Sequence, residues 1–167
     1  RYSPRTFADK TVSEDLIKEL FMAASFAASS RNGQPWRFIY ASKENPEEYS
    51  RLFNCLNEWN QRWAKLAPVL IVTIAQTHSD HKNYFNSHAE YDLGQSVANL
   101  SIQAIENDLY MHQMGGFDAE KAQTELGIPE GYKAVSMIAL GYLGKPEDLE
   151  DEFREIESNK RERKPVE

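Results

Sequence analysis

Apolar residues recur at three- and four-residue spacing through Leu16, Leu20, Ala23, Ala24 and Ala27. That period gives one apolar face and predicts a helix over 13–28. Ser13 can cap it, and Glu14 and Asp15 suit its positive end. The pattern then changes. Residues 36–40, Trp-Arg-Phe-Ile-Tyr, read as a strand, and a helix over 46–56 follows with Pro46 in its first turn. A shorter helix over 58–66 is ended by Pro68. Residues 69–75 form a nearly continuous apolar run rich in β-branched side chains, which marks a central strand.

Residues 76–86 are polar and aromatic, with His78, His81, Tyr84 and Phe85, and predict a flexible or active-site loop. The longest helix is predicted over 88–107. Leu93, Val97, Leu100 and Ala104 form its core stripe, while Ala89, Ala98 and Ile102 widen the apolar surface. A helix so apolar belongs at the centre of the fold or at a subunit interface. Asp118 can cap a short helix running to Leu126, closed by Gly127 and Pro129. Residues 134–142 predict a second buried strand, with Gly141 and Gly144 marking close packing or a turn. Beyond Pro146 the chain is charged, and helical or extended along the surface. This order predicts an α+β or three-layer α/β domain with a small central sheet flanked by helices. The 167 residues suit one domain, with a charged C-terminal extension from about residue 146.

Composition removes several function classes. An apolar fraction of 41% fits a soluble globular protein. The longest apolar run, 66–75, is too short to span a bilayer and contains Pro68 and Thr73, so no membrane span is expected. No secretory or transit segment is visible, and a chain opening at Arg1 rather than Met is expected to have lost its native start. A net charge of −7 argues against nucleic-acid binding, which needs a basic footprint. The single Cys55 rules out an internal disulfide and a multi-cysteine metal site, and it fits a cytoplasmic protein. Beside Phe53 and Leu56 it reads as a small buried hydrophobe. Four histidines show no zinc-hydrolase spacing, and no protein-bound metal is expected. The Gly-x-Gly-x-x-Gly fingerprint, the lysine P-loop and the nucleophile elbow are all absent.

What remains is chemistry suited to an anionic aromatic ligand. Arg1 and Ser3 can donate to phosphate oxygens, and arginine's planar fork holds two of them. Arg5 can approach an electron-rich ring edge. Residues 30–36, Ser-Arg-Asn-Gly-Gln-Pro-Trp, form a polar, turn-prone junction that can present side chains and N–H groups to a ring system. The acidic stretch 147–157 precedes a basic cluster of Lys160, Arg161, Arg163 and Lys164. That cluster is either a solvated tail or an anion site.

Several segments in order carry a resemblance. They are Arg1-Tyr2-Ser3-Pro4-Arg5, the run 29–36, Asp92-Leu93-Gly94-Gln95, Met114-Gly115-Gly116-Phe117-Asp118, the run 138–144 and Arg163-Lys164-Pro165. Over nearly its whole length the chain resembles the nitroreductase family of FMN-dependent NAD(P)H oxidoreductases. The resemblance implies that family's three-layer sandwich, in a homodimer with FMN at the interface. It implies that Arg1, Tyr2 and Ser3 lie at the phosphate or ribityl region and Arg5 at the N1/O2 side of the ring. Ser29, Ser30 and Asn32 would line the flavin from the partner subunit, and Asn60 would meet the pyrimidine edge. Gly115 and Gly116 would run beside the reactive edge, where the Gly116 N–H donates to N5. Arg161 and Arg163 would form a terminal phosphate clamp. Gly116 and Arg5 are thus the candidate catalytic residues, as groups that tune the flavin electronically. Two positions depart from the family pattern: Gly115 stands where several members have a carboxylate, and Trp63 roughly where some have a lysine.

The activity implied is electron transfer from NADH or NADPH to nitroaromatics, quinones or related small aromatic acceptors by a ping-pong mechanism. The alternative is a flavin-binding storage or sensing protein with little turnover. A third reading is an acidic interaction domain without a cofactor. Tyr84 and Phe85 either pack their loop against the long helix or bound a slot shared by nicotinamide and acceptor.

Overall fold

The structure is a computed structural model that describes residues 2–78, 84–159 and 162–165. Four strands form one antiparallel sheet in the order β1-β2-β4-β3: β1 is Trp36–Ser42, β2 Val69–Gln76, β3 Leu109–Met114 and β4 Tyr132–Tyr142. Helices α1 (Glu14–Ser25) and α4 (Ala89–Glu106) cover one face. Helices α2 (Pro46–Phe53), α3 (Glu58–Ala64), α5 (Ala119–Glu125) and α6 (Asp151–Ser158) lie on the other. The expected three-layer α+β arrangement is therefore present.

Strand β2 is buried at every position. Leu70, Val72 and Ile74 pack in the core with α2, α3, α5 and α6, while Val69, Ile71 and Ala75 pack in the core with α1 and α4. Helices on both faces explain why an antiparallel strand reads as an unbroken apolar run rather than an alternating one. Four helices begin where a side chain satisfies an otherwise orphaned N–H. Ser13 accepts from Leu16 at 3.3 Å and Asn45 from Glu48 at 3.4 Å, while Asn57 accepts from Asn60 and Asp118 from Lys121, each at 2.9 Å.

The structure departs from the sequence reading in several places. Strand β3 was not foreseen. It follows α4 directly through Asp108, which turns the chain at φ 56°, and its Met, His and Gln are poor strand signals. Helix α1 ends at Ser25 rather than residue 28, with Phe26 as its exposed C-cap. The flanks of the 76–86 loop are tied down: Thr77 donates to the Gly131 carbonyl at 2.7 Å, Asn86 to the Thr77 carbonyl at 2.8 Å, and His78 pairs with Phe85. His81 lies outside the described residues. The charged C-terminal stretch is docked rather than merely superficial, because Phe153 of α6 is completely buried. Among the described residues, no helix is long and apolar enough to cross a membrane.

Candidate functional site

The N-terminal segment is stitched to the end of β4. Ala8 donates to the Tyr142 carbonyl at 2.9 Å, Phe7 bridges Leu143, and the Thr6 hydroxyl donates to the Lys145 carbonyl at 2.8 Å. The crossing has no room for a side chain at Gly144, where a Cβ would lie 2.6 Å from the Phe7 carbonyl carbon. Residues 2–5 then meet β3. Tyr2 sits edge-on to Tyr110, and the His112 Nδ1–H donates to the Pro4 carbonyl at 2.9 Å. Ser3 is buried in this segment.

Arg5 lies between α3 and α6. Its guanidinium carbon is 5.8 Å from the Trp63 ring centroid, and its Nη1 donates to Glu157 Oε1 at 2.8 Å. The Tyr2 hydroxyl donates to the other oxygen of that carboxylate. Trp63 is fully buried, and its ring packs against His112 with centroids 4.5 Å apart. Two donors in this cluster have no hydrogen-bond acceptor although they are buried: Arg5 Nε and Trp63 Nε1. A buried N–H without an acceptor costs roughly 1–3 kcal/mol, so two on neighbouring side chains call for an explanation such as a ligand that supplies acceptors.

The turn after β3 completes this group. Asn60 Nδ2 donates to the Gly116 carbonyl at 2.9 Å, and the Asn57 N–H donates to the same oxygen at 3.1 Å. Both bonds need the backbone to come close. A Cβ on Gly116 would stand 2.5 Å from Asn57 Nδ2 and 2.7 Å from Asn60 Nδ2. Gly115 beside it is exposed. Tyr2, Ser3, Arg5, Asn60, Gly115 and Gly116 thus gather around the α3, α6 and β3 end of the molecule.

Ser29, Ser30 and Asn32 are not part of that gathering. They follow α1 on the opposite side of the sheet. The Ser30 N–H donates to Asp92 Oδ2 of α4 at 2.9 Å, and Ser29 Oγ accepts from the Gln34 N–H at 3.0 Å. These bonds hold an unusual backbone, with Arg31, Asn32 and Gln34 at φ 54°, 55° and 46°. Left-handed non-glycine residues cost on the order of 1 kcal/mol or more each and persist where their surroundings require them. Arg31 lies 5.2 Å over the Tyr84 ring. Ser29 and Ser30 line an open depression with His88, Tyr91, Asp92 and Gln95. Next to it, large apolar side chains face outward: Phe26 is 78% exposed, Tyr91 70% and Ile102 69%.

Arg1 and Arg161 lie outside the described residues. Arg163 is exposed on the C-terminal tail, and none of the described residues pairs with it. Cys55 is buried, its thiol donating to the Arg51 carbonyl at 3.3 Å, and burial pushes its pKa up. It is held as a neutral thiol, which agrees with its reading as a small core residue. Among the described residues, no cluster of histidine, cysteine and carboxylate side chains could hold a metal ion. The participant that sequence reasoning missed is Glu157. It is one carboxylate in a long acidic stretch, and nothing local separates it from its exposed neighbours.

The nitroreductase family model matches residues 1–142. A 15.4 kDa protein of Mycolicibacterium smegmatis, described as uncharacterized, is 31% identical over 121 residues, which cover 72% of this chain and 80% of that one. A protein of Archaeoglobus fulgidus, provisionally named an NADH dehydrogenase/NAD(P)H nitroreductase, is 28% identical over 156 residues, covering 90% of this chain and 84% of its own. Among solved structures, an oxidoreductase described as containing FMN superimposes with a TM-score of 0.90. It is 33% identical, and the match covers 94% of this chain and 80% of that chain.

Proposed function

This chain belongs to the nitroreductase family, and on that premise we propose that it is an FMN-dependent oxidoreductase. It takes electrons from NADH or NADPH and passes them to nitroaromatic, quinone or related acceptors in a ping-pong cycle. The observation that carries the reading is the pair of buried, acceptor-less donors, Arg5 Nε and Trp63 Nε1, beside the tightly held Gly116. The carbonyl- and nitrogen-rich pyrimidine edge of a flavin supplies the acceptors that such donors lack. The FMN-containing structural relative supports the choice of cofactor, and the name of the Archaeoglobus relative supports the nicotinamide donor.

FMN supplies the hydride and electron chemistry when bound, and the protein supplies position and charge. Arg5 and Trp63 hold the pyrimidine edge. Asn60 and the Asn57 N–H fix the Gly116 carbonyl, and the Gly116 N–H of that held turn would face the reactive edge. Ser3, with Arg1, Arg161 and Arg163, binds the phosphate, and Tyr2 flanks it. Phe85 is 65% exposed, with its ring edge against His78, so it is free to bound a slot for flat molecules.

The protein works as a homodimer. Ser29, Ser30 and Asn32 lie across the sheet from Arg5 and Gly116, so one chain offers two unlike half-sites. A two-fold partner brings the serine segment of one subunit over the glycine turn of the other. The outward stripe Tyr91, Gly94, Ala98, Ile102 and Ile105 on α4 suits such a contact, because its small residues let another helix approach.

Anaerobic titration of FMN-loaded protein with NADH and with NADPH, followed by an acceptor panel, tests this. Bleaching by at least one nicotinamide and parallel double-reciprocal plots are expected. Tight FMN binding without reduction would turn the reading to storage or sensing. Purified protein that takes up no FMN would leave an interaction domain.

A further inference from the structure

Helix α6 delivers a carboxylate to the flavin-binding cation, and we propose that Glu157 is a positioning residue that sets both the direction of Arg5 and the net charge at the pyrimidine edge. The inference rests on the flavin reading above and adds to it a control on redox poise.

The geometry has three parts. First, the pair is enclosed: the Glu157 side chain is 4% exposed and that of Arg5 18%, with Nη1 and Oε1 at 2.8 Å. With Nη1 taken by Glu157, the orphaned donor of Arg5 is the buried Nε. Second, the carboxylate is itself braced. The Tyr2 hydroxyl donates to its second oxygen, so it cannot swing away without losing two donors. Third, the helix that carries it is anchored independently. Phe153 is completely buried with its ring 4.9 Å from that of Trp59, and Arg62 donates to Glu150 and pairs with Glu152 at 2.9 Å. Glu157 therefore arrives at Arg5 because α6 docks on α3.

The electrical consequence follows from simple charge accounting. Trp63, the other donor, offers an N–H without a charge. Arg5 is the arginine or lysine of this cluster among the described residues, and its charge faces an opposite charge at contact distance. A cation beside the pyrimidine edge favours the reduced flavin, which is the more negative form, and an adjacent carboxylate offsets that preference. Enclosure makes the offset larger than a surface pair would give.

The test uses full-length, FMN-loaded protein and reads the ratio of affinities for reduced and oxidised FMN from the midpoint potential, alongside the FMN dissociation constant and thermal melting. Glu157→Gln, which keeps the shape and removes the charge, should raise that ratio about tenfold, equivalent to ~30 mV for a two-electron couple. Glu157→Asp should recover at least half of the shift. A purely structural role would lower the melting temperature and weaken both redox forms alike, leaving the ratio within twofold of the parent; that result overturns the proposal while the flavin reading stands. If Glu157→Gln does not fold, Arg5→Gln decides: it removes the cation from the pair and keeps the carboxylate, and should lower the ratio about tenfold; an unchanged or raised ratio overturns the proposal. A parent protein that binds no FMN takes down both readings.

Discussion

The two faces of the sheet are incomplete in opposite ways. On the α2, α3, α5 and α6 side the apolar core is closed, and what is left over is polar: two buried N–H groups without acceptors, one on the braced Arg5 and one on its neighbour Trp63. On the α1 and α4 side the surface turn is hydrogen-bonded and one small hydroxyl, Ser96 Oγ, is buried without a partner, but most of what is left over is apolar: Phe26, Tyr91 and Ile102 facing water. Unsatisfied buried donors call for a ligand that brings acceptors, whereas exposed apolar side chains call for a covering surface. The two needs are therefore separate in one chain, and the proposed homodimer would meet both at once by bringing the serine turn of one copy to the donors of the other.

Breaking the apolar half should have the largest effect. Ile102→Lys places a charge in the middle of the proposed contact, at a cost of several kcal/mol if it stays buried. We expect loss of the dimer in sedimentation and a fall in FMN affinity of about 100-fold or more. A monomer that keeps full FMN affinity would show that the α3 and α6 side is a complete site by itself. Next comes the tail. Arg163→Ala should weaken FMN by roughly 10- to 100-fold, matching a charge-assisted bond of about 1.5–3 kcal/mol, and leave riboflavin nearly unchanged. Equal losses for the two ligands in calorimetry would remove the phosphate role.

Gly116→Ala sharpens the polar half. The new Cβ displaces the Asn57 and Asn60 side-chain amides, disturbing the α3 cap and the bond to the Gly116 carbonyl. A loss of about 1–2 kcal/mol in denaturant unfolding is expected, together with a changed flavin absorption envelope. Unaltered stability would mean that the two amides move freely. The smallest effect belongs to Tyr49, whose hydroxyl donates to the Ala67 carbonyl at 2.8 Å inside the same core. Burial raises its phenol pKa well above the ordinary value of about 10. A raised folded pKa means that the stabilisation is whole below pH ~10 and is lost as the pH climbs past it. Tyr49→Phe should cost about 1 kcal/mol at neutral pH and flatten the decline in melting temperature above pH ~10.

Much of the framework was legible because its signals are local. The 3.6-residue period of Leu93, Val97, Leu100 and Ala104 predicted α4 within a residue at each end, and Ser13, Pro46 and Asp118 marked helix starts that the structure has. The unbroken apolar run at 69–75 predicted a strand covered on both sides. Strand β3 escaped because Tyr110, His112 and Gln113 dilute its alternation, and its pairing with β4 is what makes it a strand. The surplus apolar surface of α4 was also visible in the sequence, where it pointed to the centre of the fold or a subunit interface.

Local covalent order, side-chain period and capping chemistry determined where most helices and strands begin, and the ordered segments determined the family. These are properties of neighbours in the chain, which act within a turn or two. Tertiary structure decided which distant groups meet: that Glu157, 152 residues from Arg5, takes its Nη1, that Trp63 and Arg5 lie together with each keeping an unmet buried donor, and that the serine turn lies across the sheet from both. Hydrogen bonds and desolvation act over a few ångströms in space, so their sum at the site depends on how the helices dock rather than on the order of residues along the chain.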